Sequence, residues 1–425
     1  MADGRRYFGT DGVRGVVGEG LTAALVARLG FAFASWCDGA AVLVGRDTRA
    51  SGPALEAALA RGLSVGGSKV TLGGVLPTPA VALLADGCGA VVSASHNPPE
   101  YNGVKLFAHE GRKLTDKDEA LIEGLLPEHV PDADTEPARD DTLRARYLEL
   151  VTERFGAPLD GLRIAVDSAN GAMSGLAPEV FERLGARVTA IGDAPDGENI
   201  NVGCGATDLR ALAGTIREGP HDLGVALDGD GDRMLAVDQH GKEVDGDAIV
   251  AILALHLGVE LVAVTEMSSL GFHRLMAEHG IRTVTTPVGD RYLLEALREH
   301  GGTLGGEQSG HVVYLDGHTT GDGLVAALLL ARAVTESGTP FDELAARLEP
   351  GPQAKQNVPV RTKTFTPALE HEIARVNAEL DGKGRILVRP SGTEPVVRVL
   401  AEAETQATAK RLSDSIAALV GRELG

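Results

Sequence analysis

Short runs of consecutive apolar residues alternate along this chain with stretches in which apolar positions recur every three to four residues. The first run, Ala-Val-Leu-Val at 41–44, is the mark of a strand covered on both faces. Helical spacing precedes it over 21–33 and follows it over 53–65. A second short strand is centred on 70–72, and Pro77-Thr78-Pro79 opens a further helix before the chain reaches Val91-Val92. Strands alternating with helices predict a mainly parallel sheet covered on both sides. Ligands of such sheets sit outside the carboxyl ends of the strands.

The pattern restarts twice, at Arg-Ile-Ala-Val-Asp-Ser-Ala-Asn-Gly over 163–171 and at Val-Ala-Val-Thr-Glu-Met-Ser over 262–268. The restarts lie about 100–120 residues apart, near the usual domain size. We therefore expect three related α/β domains with mainly parallel mixed sheets, copies of one unit. A stretch rich in Pro, Asp and Glu over 127–141 reads as a connection. A linker is expected over 349–359, followed by at least two strands, a glycine loop and a final amphipathic helix over 406–420. This predicts a smaller α+β domain, with boundaries at 1–142, 143–245, 246–355 and 356–425.

Composition narrows the function. Of 425 residues, 43% are hydrophobic and 24% charged, as in a soluble globular protein. The formal net charge of −20 argues against a nucleic-acid partner, which requires a basic face. A small phosphorylated substrate needs only a local cluster of Arg and Lys. Cys37, Cys88 and Cys204 are widely spaced and form no Cys-x-x-Cys, which fits a reducing compartment. Residues 1–6 are polar, unlike a signal peptide. The longest apolar stretch, 248–264, contains His256, Gly258 and Glu260, and so predicts a buried helix running into a strand, with no membrane span. The expected location is the cytoplasm.

Five segments carry candidate chemistry. In Val-Val-Ser-Ala-Ser-His-Asn-Pro over 91–98, a strand ends in a turn that presents the Ser95 hydroxyl; such a hydroxyl needs a base, a metal or a bound phosphate to become reactive. Lys105, shortly after, is expected to point back at the same site. Phe-Gly-Thr-Asp-Gly-Val-Arg-Gly over 8–15 is a loop that can approach a ligand closely, with Arg14 as its cation. The apolar strand over 223–227 runs into Asp228-Gly-Asp230-Gly-Asp232-Arg233. Two unit charges about 4 Å apart repel by about 4 kcal/mol at an effective dielectric near 20, so three converging carboxylates call for a cation. All-oxygen ligands suit Mg²⁺. An EF-hand beginning at Asp228 fails, because Arg233 and Gln239 stand where Gly and Glu are required. Gly-Gly-Glu-Gln-Ser-Gly-His over 305–311 suits sugar hydroxyls, and His311 can exchange a proton near neutrality. The polar loop 286–291 precedes it. Arg-Pro-Ser-Gly-Thr-Glu-Pro over 389–395, with Arg398, makes a cradle for a dianion.

Taken together and in this order, the five segments resemble the α-D-phosphohexomutase family over nearly the whole chain, from Phe8 to about Leu419. The resemblance implies four domains in a heart shape around a central cleft, and a phosphoryl group carried on Ser95. It implies one Mg²⁺ per chain, held by Asp228, Asp230, Asp232 and the phosphate on Ser95. Glu307 and Ser309 would bind sugar hydroxyls, and Arg233 is assigned to the substrate. Arg389, Ser391, Gly392, Thr393 and Arg398 would grip the phosphate that is not reacting. Arg14, Lys105 and His311 match positions near the reacting oxygen, with Lys105 or His311 as the acid–base. The implied reaction passes the phosphoryl group to a hexosamine 6-phosphate, gives a 1,6-bisphosphate that also serves as activator, and returns a phosphoryl group to Ser95 after the intermediate turns around. A hinged fourth domain would accept both orientations. A small phosphosugar is the expected partner, and the chain is expected as a monomer or homodimer.

Within the family, the segments at 9–15, 306–311 and 319–323 favour a glucosamine phosphate, as in the supply of UDP-N-acetylglucosamine for cell walls. Residues 98–105 look more like the phosphomannomutases and phosphoglucomutases. A phosphatase of the haloacid dehalogenase type would use Asp228 as nucleophile, but lacks its Thr or Val at 232 and its later Gly-Asp-x-x-x-Asp. A binding protein without turnover is the non-enzymatic alternative.

Overall fold

A computed structural model of the chain describes residues 6–9, 11–132, 136–391 and 395–425. It divides into two compact units, residues 1–267 with 279–347, and residues 268–278 with 348–425.

Among the described residues, the first unit contains three mixed sheets built to one plan. In the first sheet the order is Val13–Val16, Tyr101–Phe107, Cys88–Val92, Val42–Arg46, Val70–Val75 and Ala138–Arg139. Cys88–Val92, Val42–Arg46 and Val70–Val75 are parallel neighbours, and Tyr101–Phe107 returns antiparallel to Cys88–Val92. In the second sheet Leu223–Leu227, Arg163–Asp167 and Arg187–Ile191 repeat the parallel trio, with Met234–Asp238 as the antiparallel return. In the third, Leu304–Gly306, Leu261–Thr265 and Arg282–Thr286 do the same, with Val312–Tyr314 returning. Each copy reads strand, helix, strand, helix, strand, returning strand.

The apolar runs explain why these strands are central. Val42, Val44, Ile164, Val166, Val225, Leu227, Val262 and Val264 are 0–1% exposed, as expected of strands covered on both faces. The stretch read as a helix entering a strand is the helix Gly246–Leu257 followed by the strand Leu261–Thr265. No helix among the described residues is long and apolar enough to cross a membrane.

In the second unit, Gln353–Pro359, Val396–Glu402 and Arg385–Pro390 form an antiparallel sheet, with Val396–Glu402 in the middle. The helices Pro367–Leu380 and Gln406–Leu424 supply apolar residues to its core, among them Leu369, Val376, Ile416 and Val420. The linker expected over 349–359 is therefore largely strand. Its residues Gln-Ala-Lys-Gln-Asn-Val-Pro are mostly polar because the strand lies at the sheet's edge and is only half-buried, which leaves no apolar run to read.

Candidate functional site

The threefold plan places the chemistry. In each copy the last parallel strand ends in a polar loop before the chain turns back: residues 93–100 after Cys88–Val92, 228–233 after Leu223–Leu227, and 307–311 after Leu304–Gly306. The carboxyl ends of three equivalent strands thus present Ser95, the aspartates and Glu307 with His311.

Ser95 is 1% exposed, and its Oγ lies 2.6 Å from Asp228 Oδ2. Its backbone is left-handed, with φ 52°, a conformation uncommon for a residue with a side chain. The aspartate turn lies directly on this loop: a Cβ at Gly229 would stand 2.7 Å from the Ser95 carbonyl oxygen, so the approach requires glycine. His96 Nδ1 is 3.2 Å from Ser95 Oγ, and burial together with the charges of Arg233 and Arg14 pushes its pKa down to about 4. His96 is therefore neutral at pH 7.

Asp228, Asp230 and Asp232 are 0–3% exposed, and each offers an oxygen within 4.8 Å of the others. Burial and the neighbouring Asp232 and Asp230 push Asp228 up to about 8. Asp230 Oδ1 and Asp232 Oδ1 are buried oxygens without a hydrogen-bond partner, although each residue is otherwise engaged. Buried orphan carboxylate oxygens are costly unless a cation takes them. The set fits a hard divalent ion with oxygen ligands.

Lys105, 2% exposed, sits among three carboxylates: Nζ is 2.7 Å from Asp11 Oδ2, 2.8 Å from Asp230 Oδ2 and 2.7 Å from Asp232 Oδ2. Burial disfavours its charge, but these three partners outweigh that and hold its pKa well above the ordinary value. Arg14 Nη2 donates to Asp11 Oδ2 at 2.6 Å. Arg233 follows the triad, and its Nε is 3.9 Å from Asp232 Oδ1.

His311 is 3% exposed, with Nδ1 3.9 Å from Asp232 Oδ1 and Nε2 3.4 Å from Asp290 Oδ2. Burial opposes its protonation; Asp232, Asp290 and Glu307 outweigh burial and raise its pKa. Asp290 in turn accepts Lys113 Nζ at 2.9 Å, and Lys113 reaches Asp11 Oδ1 at 2.7 Å. The contacts close a ring in which basic and acidic side chains alternate, Lys105–Asp11–Lys113–Asp290–His311–Asp232. Asp290→Asn is expected to lower the His311 pKa, since it removes one of the three negative charges that oppose burial there. NMR titration of the imidazole checks this, and an unmoved midpoint contradicts it.

Glu307 Oε2 accepts the Ser309 hydroxyl at 2.8 Å, and its Oε1 accepts the Gly289 N–H at 3.1 Å. Ser309 is exposed, so its hydroxyl is open to a ligand.

The first unit thus brings together Ser95, the three aspartates, Arg14, Lys105, Arg233 and His311, with Glu307 and Ser309 on the loop that carries His311. Arg389, Ser391 and Arg398 belong to the second unit, where Arg389 and Arg398 are cross-strand partners. Ser391 is buried, its N–H donates to Val396 O at 2.9 Å, and its carbonyl accepts Lys363 Nζ at 2.6 Å. Gly392 and Thr393 lie outside the described residues. The sequence alone assigns no role to Asp11, Thr78, Lys113 or Lys363. Thr78 Oγ1 donates to Asp230 Oδ2 at 2.5 Å. Asp11 stood inside the loop that supplied Arg14, and its charge was the available signal. Lys113 and Lys363 carried none, because only tertiary folding brings them to these partners.

Comparison with known proteins agrees with this geometry. The phosphoglucomutase/phosphomannomutase α/β/α domains I, II and III match residues 5–130, 145–241 and 245–350, and the C-terminal domain matches 329–419. A phosphoglucosamine mutase of Pelotomaculum thermopropionicum is 46% identical over 95% of this chain and 96% of its own. One of Saccharopolyspora erythraea is 47% identical over 98% and 99%. The crystal structure of a phosphoglucomutase/phosphomannomutase family protein of Burkholderia thailandensis superposes with a TM-score of 0.83 at 26% identity, over 97% of this chain and 96% of that one. Nothing in these matches supports Asp228 as a phosphatase nucleophile. With all four domain types matched in order along the sheets just described, the chain belongs to the phosphoglucomutase/phosphomannomutase family, the α-D-phosphohexomutases.

Proposed function

We propose that this enzyme interconverts glucosamine 6-phosphate and glucosamine 1-phosphate through a phosphoryl group carried on Ser95. The observation that carries the reading is the buried Ser95 hydroxyl 2.6 Å from Asp228 Oδ2, at the rim of a cluster of three converging carboxylates. The substrate assignment rests on the relatives named phosphoglucosamine mutase at 46–47% identity over nearly the full chain.

Phosphoryl transfer passes through a loose transition state, so the protein contributes positioning and charge. Asp228, Asp230 and Asp232 would hold a Mg²⁺ ion, which would supply positive charge to the reacting phosphoryl group. In the forward half-reaction the Ser95 Oγ–P bond breaks and a bond forms between phosphorus and the free sugar hydroxyl. The sugar hydroxyl proton passes to His311, because Lys105 is held charged and has no lone pair to accept it; Ser95 Oγ takes up a proton as it leaves, and the product is the 1,6-bisphosphate. In the reverse half-reaction Ser95 Oγ takes the other phosphoryl group, and the proton returns to the sugar oxygen left behind. Arg14 and Lys105 offset the charge that develops. Glu307 and Ser309 bind sugar hydroxyls, and Arg233 binds substrate. Arg389, Ser391 and Arg398, with Gly392 and Thr393, are the donor set for a phosphate dianion.

A coupled assay tests the substrate. We expect kcat/KM for glucosamine 6-phosphate to exceed that for mannose or glucose phosphates. Comparable values would favour a phosphomannomutase/phosphoglucomutase, the reading suggested by residues 98–105.

A further inference from the structure

We propose that Arg49 is a positioning residue for phosphoryl transfer, an internal mould around which the Ser95 loop is cast. The inference rests on the reading of Ser95 as the phosphoryl carrier.

Arg49 is 0% exposed, and its hydrogen bonds go to Asp47 and to the Ser95 loop. Its guanidinium donates to four carbonyl oxygens of one turn: Nη2 to Ser95 at 2.9 Å and Asn97 at 2.8 Å, and Nη1 to Pro98 and, at 2.9 Å, to Tyr101. Its Nε donates to Asp47 Oδ2 at 2.8 Å, and its backbone N–H to Asp47 Oδ1 at 3.0 Å. Asp47 Oδ2 also accepts the Ser93 hydroxyl at 2.6 Å, and Ser93 Oγ accepts the Ser95 N–H at 2.8 Å. From across the site, Asn201 Nδ2 donates to the same Ser95 and Asn97 carbonyls, at 2.9 and 3.1 Å.

Both backbone polar groups of Ser95 are therefore fixed by a relay that begins at Asp47. Four carbonyls turn inward to one cation, so the turn closes around a charge as well as through its own hydrogen bonds, Asn97 N–H to Ala94 O and Tyr101 N–H to Pro98 O, both at 3.1 Å. This is what holds Ser95 at φ 52° with Oγ toward Asp228. The need is chemical. In each half-reaction Ser95 Oγ changes between a neutral hydroxyl and a phosphate ester, a change of charge that would pull a looser turn to a new position. A planar fork with five donors can serve four carbonyls and a carboxylate at once; an ammonium cannot. Arg49→Lys at this position is thus not a conservative change.

The test uses the full-length chain as wild type, Arg49→Lys and Ser93→Ala, with thermal melting, kcat, KM and the ³¹P spectrum of the phosphorylated protein. For Arg49→Lys we expect kcat to fall by about 100-fold, the scale of a misplacement near 1 Å, with KM unchanged and the phosphoserine resonance shifted and broadened. Ser93→Ala should lower kcat in the same sense while staying folded with a modestly lower melting temperature, since it removes two buried hydrogen bonds, and it decides the matter if Arg49→Lys fails to fold. Wild-type kcat and an unmoved ³¹P signal in the folded variants, or a rise confined to KM, would overturn the inference. A wild-type protein with no phosphate on Ser95 would instead overturn the reading beneath it.

Discussion

Ser95→Ala is expected to reduce turnover by about 10⁴-fold or more, the scale seen when a covalent nucleophile is removed. The neighbouring hydroxyls cannot substitute for it. Ser93 Oγ is committed between Asp47 and the Ser95 N–H, and Thr78 Oγ1 donates to Asp230. The alanine keeps the backbone N–H that Ser93 binds, so the loop and the aspartate cluster should persist. Intact-mass analysis of the wild type should find a phosphate that maps to Ser95, and the variant should carry none. Residual activity close to wild type, or a phosphate found only on other residues, would refute the phosphoserine intermediate.

Chelation is expected to have an effect of similar size. Three buried carboxylates converge with two orphan oxygens among them, and Lys105 offsets only part of their charge. EDTA should bring activity to background and Mg²⁺ should restore it; full activity without a divalent ion would remove the carboxylate argument. The same cluster fixes a pH dependence. Without metal, burial and its two neighbours hold Asp228 at about 8, so at pH 7 it is mostly protonated. A bound cation requires the ionised form, so binding expels that proton. Below about pH 8, affinity should therefore fall by about tenfold per pH unit, and above it the slope should vanish. Calorimetry in buffers of different ionisation enthalpy reads the released proton directly. A pH-independent affinity between about pH 6 and pH 8 would contradict the raised carboxyl.

Much of this architecture was legible because burial writes itself into composition. The runs at 42–44, 164–166 and 262–264 are strands covered on both faces, and the start of the pattern and its two restarts are the first strands of the repeated unit in each of three equivalent sheets. Two of the loops were legible for a related reason: Ser95 and the aspartates each follow an apolar strand, where polar residues are least expected, whereas the loop with His311 was legible from its polar residues flanked by glycine. Edge elements left no such trace. Gln353–Pro359 is half-buried and polar, and Ala138–Arg139, an exposed strand of two residues, lies inside the stretch read as a connection. Nor could the sequence reveal the ring through Asp11, Lys113 and Asp290. Those residues are far apart along the chain, and their pairing depends on how two sheets are oriented in the first unit. Arg49 was visible as a residue, but its role depends on four carbonyls, and carbonyls have no signature in a sequence.

The threefold repetition of sheet and loop has a consequence for how such an enzyme can diversify. Each reactive turn hangs from the same point of a duplicated framework, so the framework bears the folding constraint and the turns are comparatively free to drift. The turn at 307–311 could acquire a taste for a different sugar while the one bearing Ser95 went on handling phosphorus unchanged. Loop exchange between paralogues at these three strand ends is the natural route to new substrates.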